Sequence, residues 1–309
     1  VAPAASPAAP EKSAKAAFPG LTQKEIRRRA KSPSAIIARN RRMARMERGL
    51  KDGWREMVGG YKSRASAIVD RELEHQTDAG RAAESLAARI EAELKEDFGK
   101  SIDALIPPYH VRAMSEGVLA IQELTSGKEF NQEDRDYFAK APAFNTDAQA
   151  AVARRRSFIQ GIGEDLFSEL RGWLIASVND GAEVAELGAV VMRRLNVTAN
   201  RAATIARTEV GTAYSIARYT ETRAQGFLKH EWMTNADELV RDGENGDFDH
   251  AQCEGDVQVI GERFACGLTH PMQEGGEPGN VINCRCECLP FVDEPGTGDS
   301  GPAQGDEES

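Results

Sequence analysis

"TANRAATIARTEVGTAYSIARYTETRAQGFLKHEWMT", Thr198 to Thr234, holds the point at which the chain changes character. Its first part reads as a helix. Ala202, Ile205, Ala206, Ala213, Ile216 and Ala217 form a narrow stripe at helical spacing, with Thr198 as the expected N-cap and Gly226 as the stop. Small side chains on such a stripe let a neighbouring element approach closely. The last part, Phe227 to Thr234, reads as a strand.

Upstream the chain is predicted to be nearly all helix. Thr22, with Glu25 three residues on, has the form of a capping box, and Ser34, after Pro33, is the expected cap of the next helix. That helix carries Ile37, Met43, Met46, Leu50, Trp54 and Met57 at spacings of three and four. A second runs from Arg81 to the stop at Pro107-Pro108, and a third from near Tyr109 to Ser126-Gly127. One or two more lie between Thr146 and the stop at Gly181. His110, the lone histidine here, reads as structural or exposed. Downstream, Asp256–Gly261, Arg263–Cys266 and Asn280–Val292 read as strands between loops rich in Gly, Asp and Pro. The expected fold class is therefore α+β, a mostly helical N-terminal region followed by a small α+β unit.

Length and charge divide the chain further. Its 309 residues suffice for two domains, and 40% hydrophobic with 28% charged residues is ordinary for a globular protein. No run of eighteen apolar residues occurs, so no membrane partner is expected, and the opening residues lack the apolar core of a signal peptide. The expected divisions are a disordered Ala/Pro-rich segment over 1–21, a helical region over 22–197, an α+β domain over 198–293 and a disordered acidic tail over 294–309. The net charge of −10 is uneven: Lys24 to Arg55 is strongly basic, whereas acidic residues dominate from Glu231 onward. A basic arm fits either a solvated helix face or contact with a polyanion or an acidic protein surface. Arg27, Arg28, Arg29, Arg41 and Arg42 are the candidate contacts, to DNA without sequence preference or to protein.

The five cysteines are too few for a disulfide framework, and their odd number suits a reducing compartment such as a bacterial cytoplasm. Cys284, Cys286 and Cys288 alternate, so a strand would put them on one face with Arg285 and Glu287 opposite. His250 and Cys253 add the remaining donor types of a tetrahedral zinc site, so His250, Cys253, Cys284 and Cys286 are the candidate ligands. Cys-x-Cys is not the usual Cys-x2-Cys knuckle, however, so no metal is expected: the domain should fold without zinc, its strand thiols reduced and buried as small apolar groups, with a disulfide as a third reading. No cofactor is expected. The acidic loop Arg241 to His250 lacks EF-hand spacing and reads as a solvated turn. No nucleophile elbow or phosphate-cradling motif is found, so the expectation is a protein without enzymatic activity.

Three blocks recur in a familiar order. They are Ile205 to Glu209 ("IARTE"); then Trp232, Asp237, Arg241, His250 and Gly255; then Asn283 to Cys286 ("NCRC") with Pro290. This ordered set resembles the phage Mu F-type head morphogenesis family, the minor head proteins of tailed bacteriophages. The resemblance covers the last third of the chain and departs in the "DGENGD" insert between Arg241 and His250. It implies a minor capsid component of a phage or prophage that associates with the portal protein and other head proteins. Such a protein would be found in the host cytoplasm during assembly and then in the virion head. It also implies that Arg207, Glu209, Trp232, Asp237, Arg241, His250, Asn283, Cys284, Arg285 and Cys286 are signature residues. Asn283 and Arg285 would then tie the closing strand to the Glu209 helix. An ADP-ribosyltransferase-like enzyme or toxin domain is the alternative, since the fold is related, but no Arg…Ser-x-Ser…Glu-x-Glu set is present.

Overall fold

The structure, a computed structural model, describes residues 18–140, 150, 153, 166–235, 240–244 and 246–293. The calls on residues 1–17, the tail from 294, Asp237 and much of the segment 146–165 lie outside the described residues. The fold is α+β: a long helical array followed by a three-stranded sheet.

Helix α1 (Gln23–Ala30) starts at Thr22, whose hydroxyl accepts from the Glu25 N–H at 3.2 Å, as expected of a cap. Helix α2 (Pro33–Leu73) is capped by Ser32 and not by Ser34. Pro33 occupies the first helical turn, where its missing N–H would have had no partner, which moves the cap one residue ahead of it. Helix α3 (Ala79–Leu105) stops at the two prolines, which open α4 (Pro107–Ser126). Gly127 closes α4 in the left-handed region. Helix α5 (Gln132–Lys140) follows; α6 is helical over 166–179 and ends before Gly181.

Two helices then meet almost without a linker, α7 (Val184–Asn200) and α8 (Ala202–Ala224). Thr198 is therefore not an N-cap. It lies in the last turn of α7, and its hydroxyl donates back to the Arg194 carbonyl at 3.1 Å. The Thr198 carbonyl, one of the four that a helix end leaves without an internal partner, accepts from the buried Trp54 indole at 3.2 Å. The hydrophobic pattern of α7 continues through Leu195 to the buried Thr198, which is why the helix runs past the expected boundary.

Helix α8 crosses α4 closely, as its small-residue stripe predicts. At Gly117 an added Cβ would stand 2.5 Å from the Tyr214 carbonyl oxygen and 2.9 Å from the Ala217 Cβ. Helices α2, α3, α4, α6, α7 and α8 enclose one core, which includes Trp54, Phe98, Val118, Leu174, Val191 and Val210. Phe98 is at its aromatic centre, in edge-on contact with Trp54, Tyr61 and Phe167.

In the sheet β1 (Lys229–Met233) is central, flanked antiparallel by β2 (Val257–Val259) and β3 (Glu287–Phe291). Two strand expectations are corrected. Arg263–Cys266 is a turn, and Asn280–Val292 is extended only over β3. Pro278–Val281 forms a helical turn, α9, and Asn283 adopts φ +60°, so the ladder cannot begin before β3. The burial alternation survives this break: Cys284, Cys286 and Cys288 are buried, while Arg285 and Glu287 are half-buried.

Helix α1 seats on this sheet. Ile26, Ala30, Ile121 and Leu124 pack with Phe227, Met233 and Leu289 in a second apolar cluster. Beside it the buried Glu231 of β1 accepts from Gln23 at 2.6 Å and Arg27 at 2.8 Å. The Val292 N–H donates to the Gln23 side chain at 3.0 Å, so one α1 residue ties both β1 and β3.

Candidate functional site

The densest chemistry lies behind β1, where three loops converge. The turn carrying His250 is held by Arg241, whose carbonyl accepts from the His250 and Ala251 N–H groups at 2.8 and 2.9 Å. The Arg241 guanidinium also donates to the Ile282 carbonyl, linking that turn to the segment that carries the thiols. Trp232 packs edge-on against His250 and Phe264 at 5.4 and 5.0 Å between ring centres. Three donors meet there: His250 Nδ1, Cys284 Sγ and Cys286 Sγ all lie within 4.8 Å of one another and are buried. Nδ1 is 3.5 Å from Cys284 Sγ and 3.6 Å from Cys286 Sγ.

The other side of the imidazole is fixed by Asn280. Its Nδ2 donates to the Cys266 carbonyl at 2.8 Å, so its Oδ1 is the atom presented to His250 Nε2 at 2.6 Å. That oxygen can only accept, so Nε2 carries the proton and Nδ1 offers its lone pair to the two sulfurs. Without a metal, the same contacts also favour passing the Cys284 proton to Nδ1. The Cys286 thiol donates to Cys284, and with His250 adjacent this holds Cys284 well below the ordinary thiol range despite burial. Cys286 is correspondingly held up by Cys284 and by burial. Burial disfavours the His250 cation, but Cys284 and Asn280 outweigh it and raise the imidazole. Cys253 and Cys266 interact with each other instead; burial raises both, Cys266 to about 12. None of the five cysteines forms a disulfide.

Of the four candidate ligands the structure thus gathers His250, Cys284 and Cys286, while Cys253 stands outside the set. Cys288 packs in the same buried cluster without joining the three donors, and its carbonyl accepts from the buried Arg218 at 2.9 Å. Asn280 was not anticipated. It opens the stretch read from sequence as a strand, and nothing local marks it as a buried site residue.

The "IARTE" face of α8 lies alongside. The Asn283 N–H reaches the Thr208 hydroxyl at 3.4 Å, so Asn283 does join the closing segment to this helix. Glu209 turns the other way, into the helical core, where it is 3.3 Å from His110 Nε2, within ion-pair reach but off hydrogen-bond geometry. His110 is thus buried and structural. Arg207 is 3.5 Å from Glu47 of α2, with Arg285 also acting on that carboxylate. Arg218, likewise unanticipated, bonds the Tyr214 hydroxyl at 3.0 Å and lies 3.3 Å from Glu287, which Arg39 meets at 2.9 Å.

The basic arm is partly committed within the molecule. Arg27 pairs with Glu231, Arg28 and Arg29 with Glu25, and Arg42 with Glu116. Arg28 remains 72% exposed at its side chain and Arg41 is exposed. Arg41, Arg45, Arg48 and Arg55 recur on one exposed face of α2.

Residues 168–289 match the family described as "Phage Mu protein F like protein". This part of the chain is similar to that family, and it contains α7, α8, the three donor residues, β1, β2 and the first residues of β3. A protein of Haemophilus influenzae (strain ATCC 51907 / DSM 11121 / KW20 / Rd), described as "Uncharacterized protein", is 24% identical over 160 residues. The match covers 51% of this chain and 32% of that protein, so the chain spans about a third of the relative's length. No solved structure matches. Among the described residues no helix is long and apolar enough to cross a membrane.

Proposed function

We propose that the chain is a non-enzymatic minor head protein of a tailed phage or prophage, acting in head morphogenesis at or near the portal. The observation that carries this reading is the Mu F-like match over 168–289, which falls on the part of the fold where α8, the sheet and α1 lock together. In this reading the C-terminal unit is a fixed anchor. The exposed arginine face of α2 and Arg28 of α1 are the surface offered to a polyanion, either packaged DNA or an acidic face of the portal.

The reading is tested on particles and on the purified chain. The protein is expected in heads or assembly intermediates by mass spectrometry, and NAD turnover is expected to be nil. Absence from every particle form would end the head-protein reading, and NAD cleavage would end the non-enzymatic one. For DNA, affinity should fall steeply with salt and show little sequence preference. Replacing Arg41 and Arg45 by Ala should lower the salt slope by about 2 if each meets a phosphate. An unchanged slope, together with loss of portal pull-down, would assign the surface to protein.

A further inference from the structure

We infer that His250, Cys284 and Cys286 form a buried zinc site that staples the loop-rich half of the Mu F-like domain. This does not rest on the head-protein reading. Zinc bonds of about 2.3 Å to sulfur and about 2.0–2.1 Å to nitrogen, at tetrahedral angles, place S and N about 3.6 Å apart. The two S···N separations are 3.5 and 3.6 Å. Two of the three edges between the donors thus have the lengths a zinc tetrahedron requires, and the third, between the sulfurs, is within 4.8 Å. The donor set, one imidazole and two thiolates, is of the soft kind that favours zinc over magnesium or calcium.

Three further observations point to a cation. The imidazole tautomer is set by Asn280 so that Nδ1 is unprotonated and faces the sulfurs, the support that metal-bound histidines ordinarily have. The fully buried Trp232 Nε1, on a ring that packs edge-on against His250, has no hydrogen-bond partner. Charge also balances: two thiolates neutralise one Zn2+, each thiol giving up its proton to solvent on binding, so no net charge is buried. Cys284 and Cys286 also line a cavity of about 250 Å3.

Such a site would join three segments that little regular structure connects: the turn at His250, the α9 turn bearing Asn280, and the lead into β3. His250 is 34 and 36 residues from the two cysteines. The ordered backbone between them consists largely of turns.

The test uses the full chain purified without chelator. Elemental analysis should find about one zinc per chain, and replacement by cobalt should give the visible absorption of a tetrahedral site with thiolate charge transfer. Chelator treatment should expose Cys284 and Cys286 to alkylation, mapped by mass spectrometry, while the metal-loaded chain protects them. Cys284→Ser and Cys286→Ser should lose the metal, and Cys288→Ser should keep it. Asn280→Ala should fold and bind zinc about 10–100-fold more weakly, as loss of a supporting hydrogen bond does. Because the ligand variants can fail to fold, the alkylation pattern of the unaltered chain is decisive by itself. Zinc below a tenth of an equivalent with no uptake on addition, or equal alkylation with and without chelator, would overturn the site. So would equal loss of metal in Cys288→Ser and Cys284→Ser.

Discussion

The helical core and the unit built around β1 bury their interiors in different ways. In the core, Leu50, Trp54, Leu86, Ile90 and Leu94 are enclosed by helices that satisfy their own backbones. Each such side chain contributes about 1.5–3 kcal/mol by leaving water. Behind β1 five thiols, Trp232 and Phe264 share the interior with only three aliphatic side chains, Leu268, Met272 and Val281, and with the buried His250 and Asn280; the regular structure there is strands of three to five residues and single helical turns. Apolar packing tolerates exchange of one aliphatic side chain for another. A cluster of imidazole, thiols and amide does not, because each polar atom needs its own partner. The comparison teaches that stability and specificity are concentrated in different halves of this chain.

The largest expected effect tests the apolar half. Trp54→Ala removes a side chain with no exposed surface together with its bond to the Thr198 carbonyl, and should cost about 3–5 kcal/mol. The measurement is the denaturant midpoint followed by far-ultraviolet circular dichroism, with an unchanged slope. A loss under about 1 kcal/mol would mean that Trp54 is not enclosed as described. Next comes Gly117→Val at the α4–α8 crossing. Its Cβ would press on backbone, the Tyr214 carbonyl, rather than on a flexible side-chain end. Overpacking of that kind costs about 1–3 kcal/mol, or forces the helices apart. Gly99→Ala, where a Cβ meets nothing within 4 Å, is the control and should be neutral or stabilising.

These two sites also mark how far the sequence could be read. The core positions of α2, the stops at Pro107-Pro108, Gly127 and Gly181, and the small stripe of α8 follow from period and punctuation, which act within one turn of helix. The partner of the stripe, Gly117, is nearly a hundred residues away and carried no signal of its own. The thiol segment was legible in part. Period two predicts which residues are buried, and Cys284, Cys286 and Cys288 are; it does not show that Asn283 breaks the strand with positive φ. The donor cluster joins residues 34 and 36 apart through Asn280, so no local spacing rule describes it. The docking of α1 on the sheet was hidden for the same reason, its apolar and charged partners all lying beyond residue 120.

That docking gives a third, smaller effect. Arg27 is half exposed, so its pair with the buried Glu231 is partly screened, but its removal leaves that carboxylate with Gln23 alone. Arg27→Ala should cost about 1 kcal/mol and loosen α1, which hydrogen exchange over residues 23–30 would register before the core responds. Arg28→Ala, at a more exposed pair, should change neither. Equal exchange in both variants would show that α1 is held by Ile26 and Ala30 rather than by charge.

The last effect is absent at neutral pH and grows on acidification. His230 of β1 is buried against Tyr219 and Phe264, and both its ring nitrogens lack hydrogen-bond partners. Burial, with His270 nearby, lowers it to about 3, and burial lowers His270 to about 4. An unfolded histidine takes its proton near pH 6.5, so between about pH 6.5 and those values the unfolded chain binds more protons than the folded one. Stability is therefore fully present above about pH 6.5 and falls as pH is lowered through this range. In the metal-free chain His250 has the opposite sign, since its proton affinity is raised on folding, and partly offsets the loss; with zinc bound, the proton competes with the metal and His250 adds to the loss. The contribution of His230 is isolated by His230→Phe, which keeps the ring contacts and removes two unpartnered nitrogens. This variant should match or exceed the parent at pH 7 and lose less between pH 6.5 and 5, a window above the range where most carboxylates titrate. Parallel stability curves for parent and variant across that window would mean that His230 is solvated, and that the sheet side of the molecule is looser than its burial implies.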